Sequence, residues 1–237
     1  MIIHYRRILM SIKKIFIKSI MFVIILFVCL FANQSNFNNI KKVDLNIIYH
    51  HNKSKSEIQK LKDEYLNNDI KGLIKIENED FKTVVVQTND NEYYLNHNLK
   101  KEIDKVGSTF MDYRNSISDK KLLVYGHNSR NINTDFHILE NYLDYNYLNE
   151  HRNITLELED VTYNYRVFSI MIVKEDYHYM KLNFNKNEYK NHIMYLKENS
   201  IYDSNENISD DEDLLILQTC YYNPVGSYLL IISKKII

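Results

Sequence analysis

The chain has 237 residues, of which 45% are hydrophobic and 26% are charged, a balance typical of a globular protein. Its net charge of −1 provides no overall positive field, so nucleic acid is excluded as an expected partner. The only two cysteines are Cys29, which lies in an apolar N-terminal stretch, and Cys220, so a disulfide within the rest of the chain is excluded.

Residues 1–32 combine a basic flank with an apolar run that continues from residue 20 to Ala32. The run is close to the minimum for a membrane-spanning helix, and the positive flank predicts that the N-terminus stays in the cytoplasm. We therefore predict a cytoplasmic tail and signal anchor over 1–32, a polar spacer over 33–53 and an extracellular domain over 54–237. The protein would then be a single-pass protein of the cell membrane. A cleaved signal peptide is the alternative, although cleavage after Ala32 would put Leu30 where a small residue is preferred.

The segment Ser54-Lys-Ser-Glu57 fits a capping box, and Ile58, Leu61 and Tyr65 follow at helical spacing, which predicts a helix over about 55–67. Short β-like runs then begin. Eight strands are predicted at 72–77, 83–87, 107–113, 121–126, 154–159, 162–173, 214–219 and 228–233. Helices are predicted near 137–149 and 186–199. Eight strands with few helices indicate a mainly β fold, a closed antiparallel or mixed barrel.

Residues 203–213 contain six acidic residues, and clustered carboxylates are what Ca²⁺ binds. Their spacing fits no EF-hand, so we interpret the segment as a solvated loop. We predict neither a metal site nor a cofactor.

Two predicted strands each run into a reactive side chain. The strand 121–126 leads into His127, and the strand 214–219 leads into Cys220. A neighbouring imidazolium favours the thiolate of a cysteine and can also protonate a leaving amine. The two residues are 93 positions apart, so only the fold can bring them together, and a solvated histidine with a buried thiol remains the alternative.

The residues around this pair resemble the class B sortases, a family of cysteine transpeptidases. Similar segments occur in the family's order: GLIKIENEDFKTVVVQTNDNEYYLNHN (72–98), GSTFMDYRN (107–115), LVYGHN (123–128) and LQTC (217–220). The helix before the last two strands also matches the extra helix of class B.

The resemblance implies an eight-stranded sortase barrel with an N-terminal helical extension. It implies that Cys220 attacks a Thr carbonyl in the C-terminal sorting signal of a secreted protein, and that His127 protonates the departing amine. The thioacyl intermediate would pass to an amino group of lipid II or another peptidoglycan precursor. An N-terminal membrane helix would suit that task, since both substrates are found at the membrane.

The sequence departs from the family at one position. Class B members carry an Arg eight positions after the cysteine, and Tyr228 stands there in this chain. Tyr228, Arg130 and Thr219 are therefore candidates for supporting the substrate or the oxyanion, with Arg114 behind Arg130. The segment Pro224-Val225-Gly226 in the same loop predicts a defined turn.

Two other functions remain open at this point. A degenerate member could hold sorting signals without turnover, because an Arg is missing. A variant that polymerises pilins or hydrolyses its substrate is also conceivable, although no segment resembles a lid loop.

Overall fold

A computed structural model describes residues 55–236, which form a closed barrel of eight strands. The strands are β1 (Ile70–Ile76), β2 (Lys82–Val86), β3 (Phe110–Met111), β4 (Lys121–Gly126), β5 (Asn153–Leu158), β6 (Thr162–Val173), β7 (Leu214–Tyr222) and β8 (Val225–Ile236). Around the barrel they follow the order β1-β2-β3-β4-β7-β8-β6-β5, which confirms the predicted mixed barrel.

Two of the strand pairs are parallel, β2 with β3 and β4 with β7, and the others are antiparallel. A parallel pair needs a long crossover, because the chain must return to the same end of the sheet. Between β4 and β7 that crossover carries two helical segments, then β5 and β6, and finally a short 3₁₀ helix and a longer α-helix. The parallel pairing of β4 with β7 brings the C-terminal ends of both strands to the same edge of the barrel.

Strand residues alternate between two buried clusters, as expected when both faces of a sheet are covered. On β7, Leu215 and Leu217 belong to one cluster, which also contains residues of the helical segment after β4. Leu214 and Ile216 belong to the other, which also receives the helix before β1 and the helix before β7. We call the second of these clusters the helix-side cluster.

Within residues 55–236, three α-helices accompany the barrel: α1 (Glu57–Tyr65), α2 (Tyr145–Glu150) and α3 (Lys186–Glu198). The predicted helix near 137–149 is a 3₁₀ segment, Asp135–Leu143, followed by α2. In α3, Tyr189, Ile193 and Leu196 are buried on one face as predicted, and Asn185 with Glu188 forms a capping box at its start.

Several predicted boundaries are wrong. The strand predicted over 214–219 continues to Tyr222, so Cys220 lies within β7 and not after its end. The cap of α1 is Ser56, whose Oγ accepts a hydrogen bond from the backbone N–H of Gln59 at 3.1 Å, and not Ser54. The predicted strand over 107–113 is reduced to two residues, Phe110–Met111. Gly107 has a φ of +63°, outside the extended range, and Asp112 begins a turn closed by the N–H of Asn115, so the chain cannot continue as a strand on either side.

The predicted anchor over 1–32 and spacer over 33–53 lie outside the described residues. Within residues 55–236, no helix is both long enough and apolar enough to cross a membrane.

Gly126, the last residue of β4, is in close contact with the 3₁₀ segment. A Cβ built at this position would lie 2.6 Å from the ring of Phe136, which is itself fully buried. Real side chains do not approach so closely, so the absence of a side chain at residue 126 allows the segment to pack on the end of β4.

We expect Gly126→Ala to lower the free energy of unfolding by about 1–3 kcal/mol, the usual cost of overpacking. Phe136→Leu alone should also destabilise the protein, because it leaves a cavity. The double variant should lose less free energy of unfolding than the sum of the two single losses, because leucine at position 136 leaves room for the Cβ of alanine at position 126. Chemical denaturation of the four proteins measures this coupling, and simple additivity would contradict the proposed contact.

Candidate active site

The register of β4 and β7 places His127 next to Cys220. In this parallel pair, Tyr125 lies opposite Gln218 and Gly126 lies opposite Thr219. One residue further along the two strands are His127 and Cys220. Both follow the alternation of the helix-side cluster, so their side chains leave the sheet on the same face. The fold therefore brings together the two residues that the sequence left 93 positions apart.

Two side-chain hydrogen bonds hold this register. Thr219 is fully buried, and its Oγ1 donates to the carbonyl oxygen of Gly126 at 2.8 Å. The buried amide of Asn128 donates to the carbonyl oxygen of Cys220 at 3.0 Å. The Asn128 oxygen is bonded in turn to Nδ1 of His137 at 2.8 Å. These contacts fix the backbone around Cys220. Thr219, a predicted support for the substrate, is instead occupied in joining the two strands.

The carbonyl oxygen of Leu95 orients the His127 ring. It lies 2.7 Å from Nε2 of His127. A carbonyl can only accept a hydrogen bond, so Nε2 carries a proton. Nδ1 is then the nitrogen that can exchange a proton with another group when the imidazole is neutral.

The Leu95 carbonyl is placed by the Tyr-Tyr-Leu-Asn-His segment, residues 93–97, within the stretch 72–98 that resembles the class B sortases. Tyr93–Leu95 form a 3₁₀ turn, and the rings of Tyr93 and His97 stack at 4.0 Å. Gly107 packs directly over this turn. A Cβ there would lie 2.7 Å from the Leu95 carbonyl oxygen and 3.0 Å from the His127 ring, so only glycine fits.

Tyr228 flanks Cys220 on the side away from β4. In the antiparallel pair of β7 with β8, these two residues are direct partners. Only Asn223 and Pro224 connect the two strands, and Gly226, the second residue of β8, has the positive φ, +82°, that the predicted turn requires of it. His127 just past the end of β4, Cys220 on β7 and Tyr228 on β8 thus lie side by side, with the cysteine in the middle.

All three side chains line one cavity of about 310 Å³. Its wall is mostly apolar and aromatic, and it includes Leu95, Phe110, Tyr125, Tyr177, Tyr179 and Met180. The amide groups of Gln218 and Asn91 complete it. Among residues 55–236, no Arg or Lys borders this cavity.

Burial raises the pKa of the Cys220 thiol, and it is the dominant influence on that group. The neutral thiol is therefore the main form at neutral pH. Burial also raises the pKa of Tyr228, which the nearby Cys220 supports, so its hydroxyl keeps its proton and remains a donor. The pKa of Cys220 therefore reflects its burial and not the stabilisation of a thiolate by a neighbouring imidazolium that the sequence led us to expect.

The cationic candidates lie elsewhere. The Arg130 guanidinium sits over the Tyr222 ring at 4.8 Å, and its Nη2 donates to the Tyr222 carbonyl oxygen at 3.4 Å. Arg114 makes two hydrogen bonds to the buried carboxylate of Asp112, at 2.7 and 2.8 Å. Arg130 thus contacts Tyr222, which lies two residues after Cys220 on β7, whereas Arg114 is bound to Asp112.

The sequence did not reveal the roles of three residues that build the site, Asn128, Tyr179 and Gln218. Asn128 follows His127 directly, but nothing in the pattern shows that its amide turns back to Cys220. Tyr179 donates its hydroxyl proton to Oε1 of Gln218 at 2.8 Å, and both line the cavity. Tyr179 lies in a segment without periodicity, so only the fold reveals its place.

The acidic segment 203–213 forms ion pairs. Asp210 pairs with Lys190 at 2.7 Å, and Glu206 pairs with Lys234 at 3.3 Å and with Arg152 at 3.4 Å. No cluster of three potential metal ligands occurs among the described residues.

Comparison with known proteins gives one consistent result. The family model described as the Sortase domain matches residues 74–235. Sortase B of Listeria monocytogenes is 32% identical over 158 residues, an alignment that covers 65% of this chain and 64% of the relative, a little under two thirds of its length. A crystal structure of Clostridium perfringens sortase B superposes with a TM-score of 0.70 at 30% identity, covering 75% of this chain and 98% of the other. A Staphylococcus aureus sortase B–substrate complex gives a TM-score of 0.70 at 26% identity, covering 86% and 96%.

The pH dependence of thiol reactivity tests the electrostatics of the cavity. In a Cys29→Ser background, where Cys220 is the only thiol, the rate of alkylation by iodoacetamide should reach half its maximum above pH 9.0, the ordinary thiol value. His127→Ala should leave that midpoint nearly unchanged, because burial causes the shift. A midpoint well below pH 8 that rises in His127→Ala would instead reveal a thiolate–imidazolium pair.

Proposed function

The chain belongs to the sortase family, with class B sortases among its relatives, and on that basis we propose that it is a cysteine transpeptidase of the cell surface. It would cleave the C-terminal sorting signal of a secreted protein after a Thr and transfer that protein to a peptidoglycan amino group. The supporting observation is the placement of His127, Cys220 and Tyr228 around one cavity.

In the first half of the reaction, the Cys220 sulfur forms a bond to the Thr carbonyl carbon. Because the neutral thiol predominates, Nδ1 of His127 takes the thiol proton as the sulfur attacks. The C–N bond to the following residue then breaks, and His127 donates the same proton to the leaving amine. A thioester between Cys220 and the substrate remains.

In the second half, an acceptor amine attacks the thioester carbon. His127 removes a proton from this amine as the new C–N bond forms, and the sulfur leaves and recovers a proton from His127. The Leu95 carbonyl keeps Nε2 protonated throughout, so Nδ1 is the nitrogen that exchanges protons in both halves.

Tyr228 takes the position at which other class B members have an Arg. Its hydroxyl supplies one donor and no charge, whereas a guanidinium supplies five donors and a permanent charge. We assign it the role of hydrogen-bond donor to the oxyanion or to the substrate backbone. Its raised pKa favours this role, because a phenolate could not donate. Arg130 would support the substrate only by leaving the Tyr222 ring, so Tyr228 is the better candidate.

The partners follow from the same assignment. The donor substrate is a secreted protein with a C-terminal sorting signal, and the acceptor is lipid II or another peptidoglycan precursor with a free amine. The N-terminal segment 1–32 would anchor the enzyme in the cell membrane with residues 54–237 outside. No cofactor takes part in this chemistry.

A second function has one observation in its favour. No cation borders the cavity among the described residues, so the oxyanion would be stabilised less well than beside an Arg. A protein of this kind could bind sorting signals without turnover, as an anchored binding module.

Replacing Cys220 with Ala should abolish cleavage of sorting-signal peptides. The experiment incubates the full chain with a library of Thr-containing peptides and identifies both fragments by mass, and wild-type protein should also show the mass of the thioacyl adduct. Cys29→Ser is the matched control and should retain activity. Equal cleavage by the Ala variant would refute the proposal, and tight peptide binding without turnover by wild type would favour the binding module.

Removing the Tyr228 hydroxyl should lower kcat/KM. For Tyr228→Phe we expect a loss of about 10²-fold, the low end for one oxyanion donor. Tyr221→Phe is the matched control, since this neighbour of Cys220 packs on the opposite cluster. Tyr228→Arg should raise kcat. Unchanged kinetics in Tyr228→Phe would show that the hydroxyl does not contact the reacting carbonyl.

A further inference from the structure

Lys121, the first residue of β4, is buried without a carboxylate partner. Only 3% of it is exposed, and no ion pair involving it occurs among the described residues. Its Nζ donates to the carbonyl oxygen of Tyr179 at 2.8 Å and lies 2.9 Å from Nε2 of His192 on α3. The ammonium also stands 4.9 Å from the centre of the Phe184 ring. Burying a lysine amine costs free energy of desolvation, and an aliphatic side chain would fill the same space without that cost.

The acceptor of this bond belongs to a segment that borders the cavity. Residues 176–181, which we call the wall segment, connect β6 to α3 and include Tyr177, Tyr179 and Met180, all of which line the cavity with Cys220. The wall segment contains only three residues of 3₁₀ helix, His178–Met180, so its own hydrogen bonds cannot fix its position.

Contacts from four surrounding elements hold the wall segment instead. Lys121 on β4 binds the Tyr179 carbonyl, and Gln218 on β7 accepts the Tyr179 hydroxyl proton. Arg114 donates to the Met180 carbonyl at 3.2 Å. The Tyr195 hydroxyl on α3 is bonded to Asp176. Of the four surrounding side chains that make these contacts, Lys121 alone is buried, with 3% of it exposed.

We propose that Lys121 is a positioning residue for substrate binding: it fixes the wall segment, and with it Tyr179, against β4 and so sets the shape of the cavity around Cys220. It does not touch the reacting atoms, because it lies at the start of β4, whereas His127 follows the end of that strand. This role rests on the proposed transpeptidase function, since it is a role in holding the sorting signal.

The charges around Lys121 fit a donor rather than a member of an ion pair. Burial, with smaller contributions from Arg114 and Lys181, lowers the pKa of Lys121 to about 7 against the opposing effect of Asp112. His192 is neutral, because burial, Lys121 and the neighbouring His178 lower its pKa to about 2. Since a neutral amine and an ammonium both carry N–H groups, the bond to Tyr179 persists on either side of pH 7.

Lys121→Met tests this role, because Met preserves the unbranched chain and removes the donor. Lys120→Met is the matched control: it removes an adjacent lysine that is exposed and paired with Asp211. With a cleaved peptide at pH 8, Lys121→Met should raise KM about tenfold, equivalent to one lost hydrogen bond, and leave kcat within about twofold. Lys120→Met should leave both within about twofold. Equal KM values in wild type and Lys121→Met would overturn the proposal, as would a fall in kcat with unchanged KM.

A second variant keeps the test decisive if Lys121→Met does not fold. Lys121 binds the backbone carbonyl of Tyr179, and Gln218 binds its side-chain hydroxyl. Tyr179→Phe removes the second of these hydrogen bonds, and it should also raise KM while kcat stays the same. An unchanged KM in Tyr179→Phe would then overturn the proposal.

A substrate-independent measurement separates this proposal from the proposed function. In the Cys29→Ser background, Cys220 is alkylated by iodoacetamide or by the bulkier N-ethylmaleimide. If Lys121 shapes the cavity, Lys121→Met should change the ratio of the two rates about threefold or more, and Lys120→Met should not. Should wild type cleave no peptide, the transpeptidase function fails and this ratio alone decides the role of Lys121; an unchanged ratio overturns it.

Discussion

The parallel pairing of β4 with β7 is the constraint on which the candidate site depends. His127 and Cys220 each come directly after a residue of the last paired position in the register of β4 with β7, Gly126 opposite Thr219. A slip of one residue would turn one of the two side chains to the opposite face of the sheet. The buried Thr219 hydroxyl and the Asn128 amide both bridge these two strands at the critical register. Polar residues buried at this point therefore specify the alignment.

The electrostatic character of the cavity follows from what surrounds it. Aromatic and aliphatic side chains make up most of its wall, and the cations nearby are engaged by Asp112 or by the Tyr222 ring. Such surroundings favour neutral groups. Burial raises the pKa of both the Cys220 thiol and the Tyr228 hydroxyl. In the proposed reaction, protons would pass between neutral groups, and the Leu95 carbonyl determines which nitrogen of His127 is free to exchange them.

Much of the fold could be predicted from local patterns. Alternating or β-branched runs located all eight strands, because strand periodicity reflects burial on the two faces of the sheet. The family resemblance identified the barrel and its class, and both are confirmed. Patterns failed where a single backbone feature decides the outcome. Gly107 reads as the start of a strand, yet its positive φ lets the loop approach His127. The candidate residues themselves were identified by motif, and their roles stay predictions.

Lys121 shows most clearly why part of the site could not be derived from the sequence. As the first residue of a β-like run, it reads as a solvated strand end, and its neighbour Lys120 is indeed exposed. Its burial depends on α3, which begins 65 residues later and covers β4 only because the crossover between β4 and β7 returns over the helix-side cluster. The same crossover makes the parallel pairing possible and supplies the wall segment. The connection that aligns Cys220 with His127 therefore also builds one side of their cavity. Lys121 links the two, because it lies on β4 and binds the Tyr179 carbonyl of the wall segment.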